Sequence, residues 1–376
     1  MARRGHGEGS IYQRKDGRWV ASITLEHRKR KYFYGDTRKE VQEKLKIALR
    51  EQQQGMLVTG PQQLLKTYLE NWLEQVYKPT VKLNSYVQYR SIIHHHLIPA
   101  FGSVPVQKLT PEKLHAFYRQ KLDEGSAPAT IRLIHAVLSR ALGDAVKQGL
   151  VARNVVTLVT PPRIERYEAK TLSAEQAEKL LEAARGSRLD TLLIMALTTG
   201  MRRGELLALR WDDVDFQQSL ISVHRTMSRV GGYGFREGEP KTKSSRRRIV
   251  LPSVSLEALK EHRIQQDAAR IEVGDSWHEK GLVFCDRDGG FFSPDKVLWS
   301  FSKLLSKVGL PHMRFHDLRH SAATILLVAG VHPKVVQERL GHSTIAMTLD
   351  VYSHVLPSMQ QDAAGKINDL FKTKRL

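Results

Sequence analysis

The chain is 376 residues long, 41% hydrophobic and 26% charged, with 59 Lys and Arg against 39 Asp and Glu. That length predicts two or three domains with real cores and excludes wholesale disorder. No apolar run reaches the ~18–20 residues of a membrane helix. A lone Cys285 excludes an intramolecular disulfide and a cysteine-rich zinc site. The net charge of +20, spread along the whole chain, favours a polyanionic partner, nucleic acid first. The basic start Met1-Ala2-Arg3-Arg4 has no apolar stretch behind it, so a cytoplasmic, nucleoid-associated protein is expected rather than a secreted one.

Residues 1–55 read as a three-stranded sheet and a helix. Ser10 to Arg14 and Trp19 to Leu25 alternate as half-buried strands do, joined by an Asp16-Gly17 hairpin signal, and Arg30 to Tyr34 makes a third strand. Thr37 and Glu40 form a capping box for a helix reaching Gln53, with Val41, Leu45 and Leu49 on one face. The rim of this sheet is basic (Arg14, Lys15, Arg18, Arg28, Lys29, Arg30), which suits strands entering a DNA groove.

The stretch 52–61 reads as a linker, and 62–158 as a four-helix bundle. Its helices are expected from about Gln62 to Val76, from near Asn84 to a stop before Pro99, from Thr110-Pro111-Glu112 to Gly125, and from Pro128 to Gln148. Three successive histidines, His94 to His96, cannot converge on one ion if helical, because neighbours point ~100° apart. A second linker carries Pro161-Pro162. Residues 168–376 read as mixed α+β. A Ser173/Gln176 capping box opens a helix, Leu189 to Thr199 is a buried helix, and Leu220 to Val223 and Arg248 to Leu251 are strands flanking a Gly- and Lys-rich stretch. Further helices are expected at 254–271, 294–308, 316–328 and 333–340. Met359, Ala363, Ile367, Leu370 and Phe371 make an apolar stripe near the end, able to dock in cis or on a neighbouring protomer. The fold class is therefore multidomain and mainly α with small sheets.

Four short segments of the last part carry chemistry: Thr199-Gly200-Met201-Arg202-Arg203-Gly204-Glu205, Pro240-Lys241-Thr242-Lys243, His316-Asp317-Leu318-Arg319-His320, and Leu340-Gly341-His342 with Tyr352 ten residues on. There is no Walker lysine–serine loop, no acidic cluster for Mg²⁺ and no paired cysteines, so neither a metal nor another cofactor is expected. Two guanidiniums can clamp the oxygens of a phosphodiester, a phenol can attack phosphorus, a lysine can protonate the leaving sugar oxygen and a histidine can accept the phenol proton. His316 and Arg319, like Arg202 and Glu205, stand at i, i+3 and share a helix face. Lys241 falls where a hairpin tip is expected. Lys243, Arg246 and Arg247, with Lys307 and Arg314, are candidates to face DNA phosphate.

The pieces TGMRRGELLALRW, PKTKSSRRRIVLP, HDLRHSAAT and LGHSTIAMTLDVYSHV, in that order, resemble the phage-integrase type of tyrosine recombinase. Upstream, NWL, YRSIIHHHLIPAFG and LTPEKL resemble the core-binding domain of that family, and GEGSIYQRKDGRWVASI with KRKYFYGDTRKE its arm-type DNA-binding domain. The resemblance implies that Tyr352 forms a 3′-phosphotyrosyl bond and that Arg202 and Arg319 bind the scissile phosphate. It makes Lys241 the general acid (with Lys243 the alternative alignment), lets His316 assist proton transfer and His342 hydrogen-bond the phosphate, and has Glu205 support the site from behind. It also implies double-stranded DNA at core and arm sites, a homotetramer acting through a Holliday junction, and a DNA-bending host factor and an excisionase as partners. A type IB topoisomerase-like enzyme would instead relax arbitrary supercoiled plasmid as a monomer, and a non-catalytic regulator would bind a site without cutting it.

Overall fold

The computed structural model describes residues 9–24, 30–53, 62–165, 167, 169–239 and 245–352, together with 364–365, 367–368 and 371. Residues Met1–Arg166 and Tyr167–Leu376 form two compact units. Among the described residues no helix is long and apolar enough to cross a membrane.

The first unit contains two separate cores. Strands β1 (Ser10–Gln13), β2 (Trp19–Thr24) and β3 (Arg30–Gly35) pair antiparallel in that order. Ile11, Ala21 and Phe33 stand opposite one another and pack on α1 (Arg38–Gln53) through Val41, Leu45 and Ala48. The other face carries Tyr12, Tyr32 and Tyr34, all about half exposed. Gly17, at φ +84°, makes the hairpin turn that only glycine adopts without strain. Asp16 there pairs with Arg14 and Arg18. The expected capping box of α1 closes one residue early: Thr37 Oγ1 accepts from Glu40 N–H at 3.2 Å, but the Glu40 carboxylate takes the N–H of Asp36, at 3.0 Å. Arg28 and Lys29 lie outside the described residues.

The bundle comprises α2 (Leu65–Asn71), α3 (Leu83–Ile92), α4 (Ile98–Phe101), α5 (Pro111–Asp123) and α6 (Pro128–Lys147). The first helix starts later than expected because Leu64 is extended, bridging to Pro105, and it runs on through a π turn, Trp72–Tyr77. The expected stop before Pro99 is not seen. A second π turn, Ile93–Leu97, carries the helix into α4, with Pro99 in its first turn. Proline lacks an N–H and presses on the carbonyl four residues back; at the start of a new turn after a widened one, neither matters. Thr110 sits at the N-cap of α5, yet its hydroxyl makes no backbone cap and bonds the Glu112 carboxylate instead. His94 to His96 fall in the second π turn and diverge: His95 Nδ1 bonds Ser91 O at 2.9 Å while His96 faces Lys121 and Glu124. No metal-binding cluster occurs among the described residues.

The second unit is built round α8 (Asp190–Thr199), which is apolar on nearly all sides and buried against α7 (Ala174–Ala184), α10 (Ser253–Val273) and α12 (Asp317–Val328). Ser173 and Gln176 form the predicted capping box of α7. The short helix α9 (Arg203–Leu206) follows α8. Strands β4 (Val214–Asp215), β5 (Leu220–Val223) and β8 (Arg247–Val250) make one sheet; β6 (Thr226–Val230) and β7 (Gly234–Gly238) make a separate hairpin. That hairpin was not anticipated, although the Gly231-Gly232-Tyr233-Gly234 tip between two strand-like runs marks it. β7 and β8 belong to different sheets; Lys241 and Lys243, and with them the expected hairpin tip, lie outside the described residues. Helices α11 (Pro294–Lys307), α13 (Pro333–Leu340) and α14 (Ala346–Tyr352) complete the unit. Cys285 is half buried, its Sγ accepting from Gln266 Nε2. Of the C-terminal stripe, Ile367 and Phe371 are exposed; Met359, Ala363 and Leu370 lie outside the described residues.

Candidate active site

Two left-handed glycines shape the site. Gly200 (φ +63°) ends α8 and Gly341 (φ +68°) ends α13, and each leaves carbonyls at a helix C-terminus without a donor. Arg319, in the first turn of α12 and 4% exposed, supplies both: Nη1 donates to Gly200 O at 2.7 Å and Nη2 to Leu340 O at 2.6 Å. A cation between two helix C-termini meets the negative ends of both dipoles. A Cβ at Gly200 would overlap Leu340 Cδ2 as well as strain the backbone. Gly200→Ala is therefore expected to cost about 2–4 kcal/mol in stability, measurable as a lower urea midpoint with unchanged slope; a neutral result would contradict this packing.

Arg202 is the N-cap of α9. Its Nη1 donates to Glu205 Oε1 at 2.7 Å, its backbone N–H to Oε2 at 2.9 Å, and its Nη2 makes a long contact of 3.5 Å with Gly341 O. Glu205 is buried and also accepts from Arg247 Nη2 at 3.0 Å. Arg247 was expected to face DNA. It turns inward instead, with its side chain 6% exposed and Nε donating to Arg339 O at 2.6 Å. In the sequence only the alternation of β8 distinguishes Arg247 from Arg246 and Arg248, and it places Arg247 on the inward side with Ile249. Arg246 stays at the surface and pairs with Glu239. Arg314 pairs with the Asp317 carboxylate, yet its side chain stays half exposed.

Two guanidiniums, Arg202 and Arg247, thus share the Glu205 carboxylate, and the third, Arg319, is near enough to feel the charge of all three. Burial would raise the pKa of Glu205, but Arg247 and Arg202 overcome that and hold it low. Arg319 is pushed down to about 9, by burial first and then by Arg202 and Arg247. An excess of buried positive charge is costly unless an anion completes it.

His342 is 7% exposed, and its Nδ1 bonds Thr348 Oγ1 on α14 at 2.9 Å. Burial, then Arg319 and Arg202, push it down to about 3. His316 stands at the N-cap position of α12 without a side-chain capping bond and meets His320 edge-on at 5.5 Å. The surrounding protein, then His320, Arg319 and Arg202, push it down to about 4, although its outer edge stays open to solvent. Tyr352 is the last residue of α14, which packs on α12 and α13. Beside Arg202 and His316 opens a hollow of about 670 Å³, floored by Phe301, Met313 and Phe315 and flanked by the exposed Trp299.

The family model described as "Phage integrase family" matches residues 170–359, half of the chain, and covers every one of these groups. The chain belongs to the phage integrase family. A second model, the N-terminal SAM-like domain of phage integrases, matches residues 64–122 of this integrase. It is 32% identical to the "Tyrosine recombinase XerC-like" protein of Caldanaerobacter subterraneus subsp. tengcongensis over 91% of this chain and 92% of that one. It is 29% identical to the ICEBs1 integrase of Bacillus subtilis over 77% and 78% of the two chains. Among solved structures, the fold is similar to the Tn1549 transposon integrase in complex with transposon right end DNA (TM-score 0.68, 21% identity, 81% of this chain and 99% of that one). It is also similar to a λ integrase tetramer bound to a Holliday junction (TM-score 0.58, 20% identity, 93% and 96%). The protein is a site-specific recombinase of the tyrosine class, an enzyme that breaks and rejoins DNA strands.

Proposed function

We propose that Arg202 and Arg319 bind the scissile phosphate and that Tyr352 is the nucleophile. The phenol oxygen attacks phosphorus and displaces the 5′-oxygen of the next nucleotide, leaving a 3′-phosphotyrosyl bond; a 5′-hydroxyl from the partner duplex then attacks that bond and releases the phenol. Lys241, or Lys243, protonates the departing 5′-oxygen. His316 takes the phenol proton, and His342 donates a hydrogen bond to the phosphate. Glu205 holds Arg202 in place while Arg247 holds Glu205. The observation that carries this reading is the imbalance of three guanidiniums against one carboxylate, brought together from α9, α12 and β8. A phosphodiester, more negative still in its transition state, neutralises that excess without an ion or ATP.

In the same reading residues 1–55 are the arm-type domain and grip arm sites through Arg14, Lys15, Arg18, Arg28, Lys29 and Arg30. Residues 62–158 are the core-binding domain and 168–376 the catalytic domain. Four copies would act on a Holliday junction, as the λ integrase tetramer is seen to do, in the cytoplasm at the nucleoid, with a DNA-bending host protein and an excisionase as accessory partners. Incubation with a nicked suicide duplex carrying the recombination site tests the chemistry: a covalent protein–DNA adduct is expected without metal or ATP, and its absence would sink the reading.

The histidines set the pH dependence. His316, lowered from 6.5 to about 4, is neutral and able to accept a proton at pH 7. The single-turnover rate of adduct formation is expected to hold from about pH 8 to about pH 5, where an ordinary histidine base would already be protonated. Stability follows the same sign. The unfolded chain binds protons on His316 and His342 near 6.5, whereas the folded one does so only at about 4 and about 3, so stability is full above 6.5 and falls as pH drops through that window. Thermal midpoints measured at pH 7.5 and pH 5 check it.

A further inference from the structure

Tyr167 lies in the segment where the chain enters the second unit, outside all the motifs above. Its hydroxyl donates to Asp317 Oδ2 at 2.7 Å, and the Arg314 guanidinium lies 3.5 Å from the centre of its ring. Asp317 is wholly buried and shares the first turn of α12 with Arg319, directly after His316. Its carboxylate is otherwise held by Arg314, which donates its backbone N–H to Oδ2 at 2.8 Å and Nη2 to Oδ1 at 3.0 Å. One step further along the same segment, Leu172 N–H donates to Ser321 Oγ at 3.0 Å, and Ser321 Oγ donates to Asp317 O at 2.9 Å. The entering segment therefore grips the start of α12 at two places. A buried carboxylate needs each of its donors, and losing one is felt by the charges around it.

We propose that Tyr167 is a positioning residue for strand cleavage: through Arg314 and Asp317 it seats the entering segment on the first turn of α12 and so fixes His316 and Arg319. Tyr167 touches no reacting atom; it acts through the Asp317 carboxylate. His316 is faced by His320 and Arg319 on its own helix, by Arg202 from the start of α9 and by Asp317. Of these, Asp317 alone favours the protonated ring. With the phenol donor gone, the carboxylate is less neutralised, and the proton affinity of His316 rises.

The proposal rests on the roles given above to His316 and Arg319, and the test separates the two. Full-length Tyr167→Phe keeps the ring on Arg314 and loses only the hydrogen bond; Tyr167→Ala loses both. Each is compared with wild type in single-turnover adduct formation on the nicked duplex from pH 4.5 to 8, alongside affinity for the same duplex. Tyr167→Phe is expected to slow adduct formation ~3–10-fold and Tyr167→Ala ~10–100-fold, with DNA affinity unchanged within about twofold and the acid limb of the profile moved up by about half a pH unit. Because Tyr167 is half exposed, the Phe variant should keep its fold, checked by its melting curve. If wild type makes the adduct and both variants match it in rate and profile, or slow only through weaker DNA binding with an unmoved profile, the proposal fails while the cleavage reading stands. If wild type makes no adduct, the cleavage reading falls and this proposal with it.

Discussion

Tyr352→Phe is expected to form no covalent adduct with a nicked duplex, a loss of at least ~10⁴-fold, the scale seen when a nucleophile is removed, while binding the duplex as wild type does. The substitution removes one oxygen and leaves the ring, so helix α14 and its packing should survive. That helix is tied to the cationic cluster by the Thr348–His342 hydrogen bond and by its contacts with α12 and α13. The end of α14 is thus held to the same part of the unit as Arg319 and His342. A denaturing gel reads the result directly, because the phosphotyrosyl bond survives denaturation. Should the Phe variant still be captured, another side chain is the nucleophile, and the roles assigned around Tyr352 would have to be withdrawn.

Arg319→Ala combines two losses and is expected to show both. The guanidinium donates to both Gly200 O and Leu340 O, so truncation takes a charged donor from two helix-end carbonyls and leaves a cavity beside them. Relief of repulsion with Arg202 and Arg247 offsets part of this. About 2–4 kcal/mol of destabilisation is expected, together with a fall of ~10³-fold or more in adduct formation as one phosphate clamp disappears. Arg319→Lys is the useful companion. It restores the charge but cannot span two carbonyls, so it should recover part of the stability and little of the rate. Urea unfolding and single-turnover cleavage on the same preparations check the pair. A stable, inactive Arg319→Ala would mean that the arginine serves the phosphate alone and that the two carbonyls find other donors.

Local signals carried much of the architecture. The alternation of Trp19 to Thr24, the Asp16-Gly17 turn, the Ser173/Gln176 box and the apolar run before Gly200 each specify backbone geometry over a few residues, and the structure has those elements within a residue or two. The signals failed where a neighbour in space overrode a local rule. Pro99 passes inside a helix because a π turn precedes it, Leu64 stays extended to meet Pro105, and the Glu40 carboxylate prefers Asp36 to Thr37. The β6–β7 hairpin was missed because its glycine-rich tip was read together with the basic stretch that follows.

What the amino-acid order determined alone is the chemical inventory and its place on the chain: which segments carry arginine, histidine and tyrosine, and which family they belong to. Tertiary structure decided which of those groups meet. Arg247 and Arg246 are neighbours in one basic run, yet one supports Glu205 from inside and the other pairs with Glu239 at the surface. Tyr167 stands 150 residues from the carboxylate it serves. Charge and hydrogen-bonding capacity belong to a residue type, but burial and partner belong to a position in space, and only the folded chain assigns those.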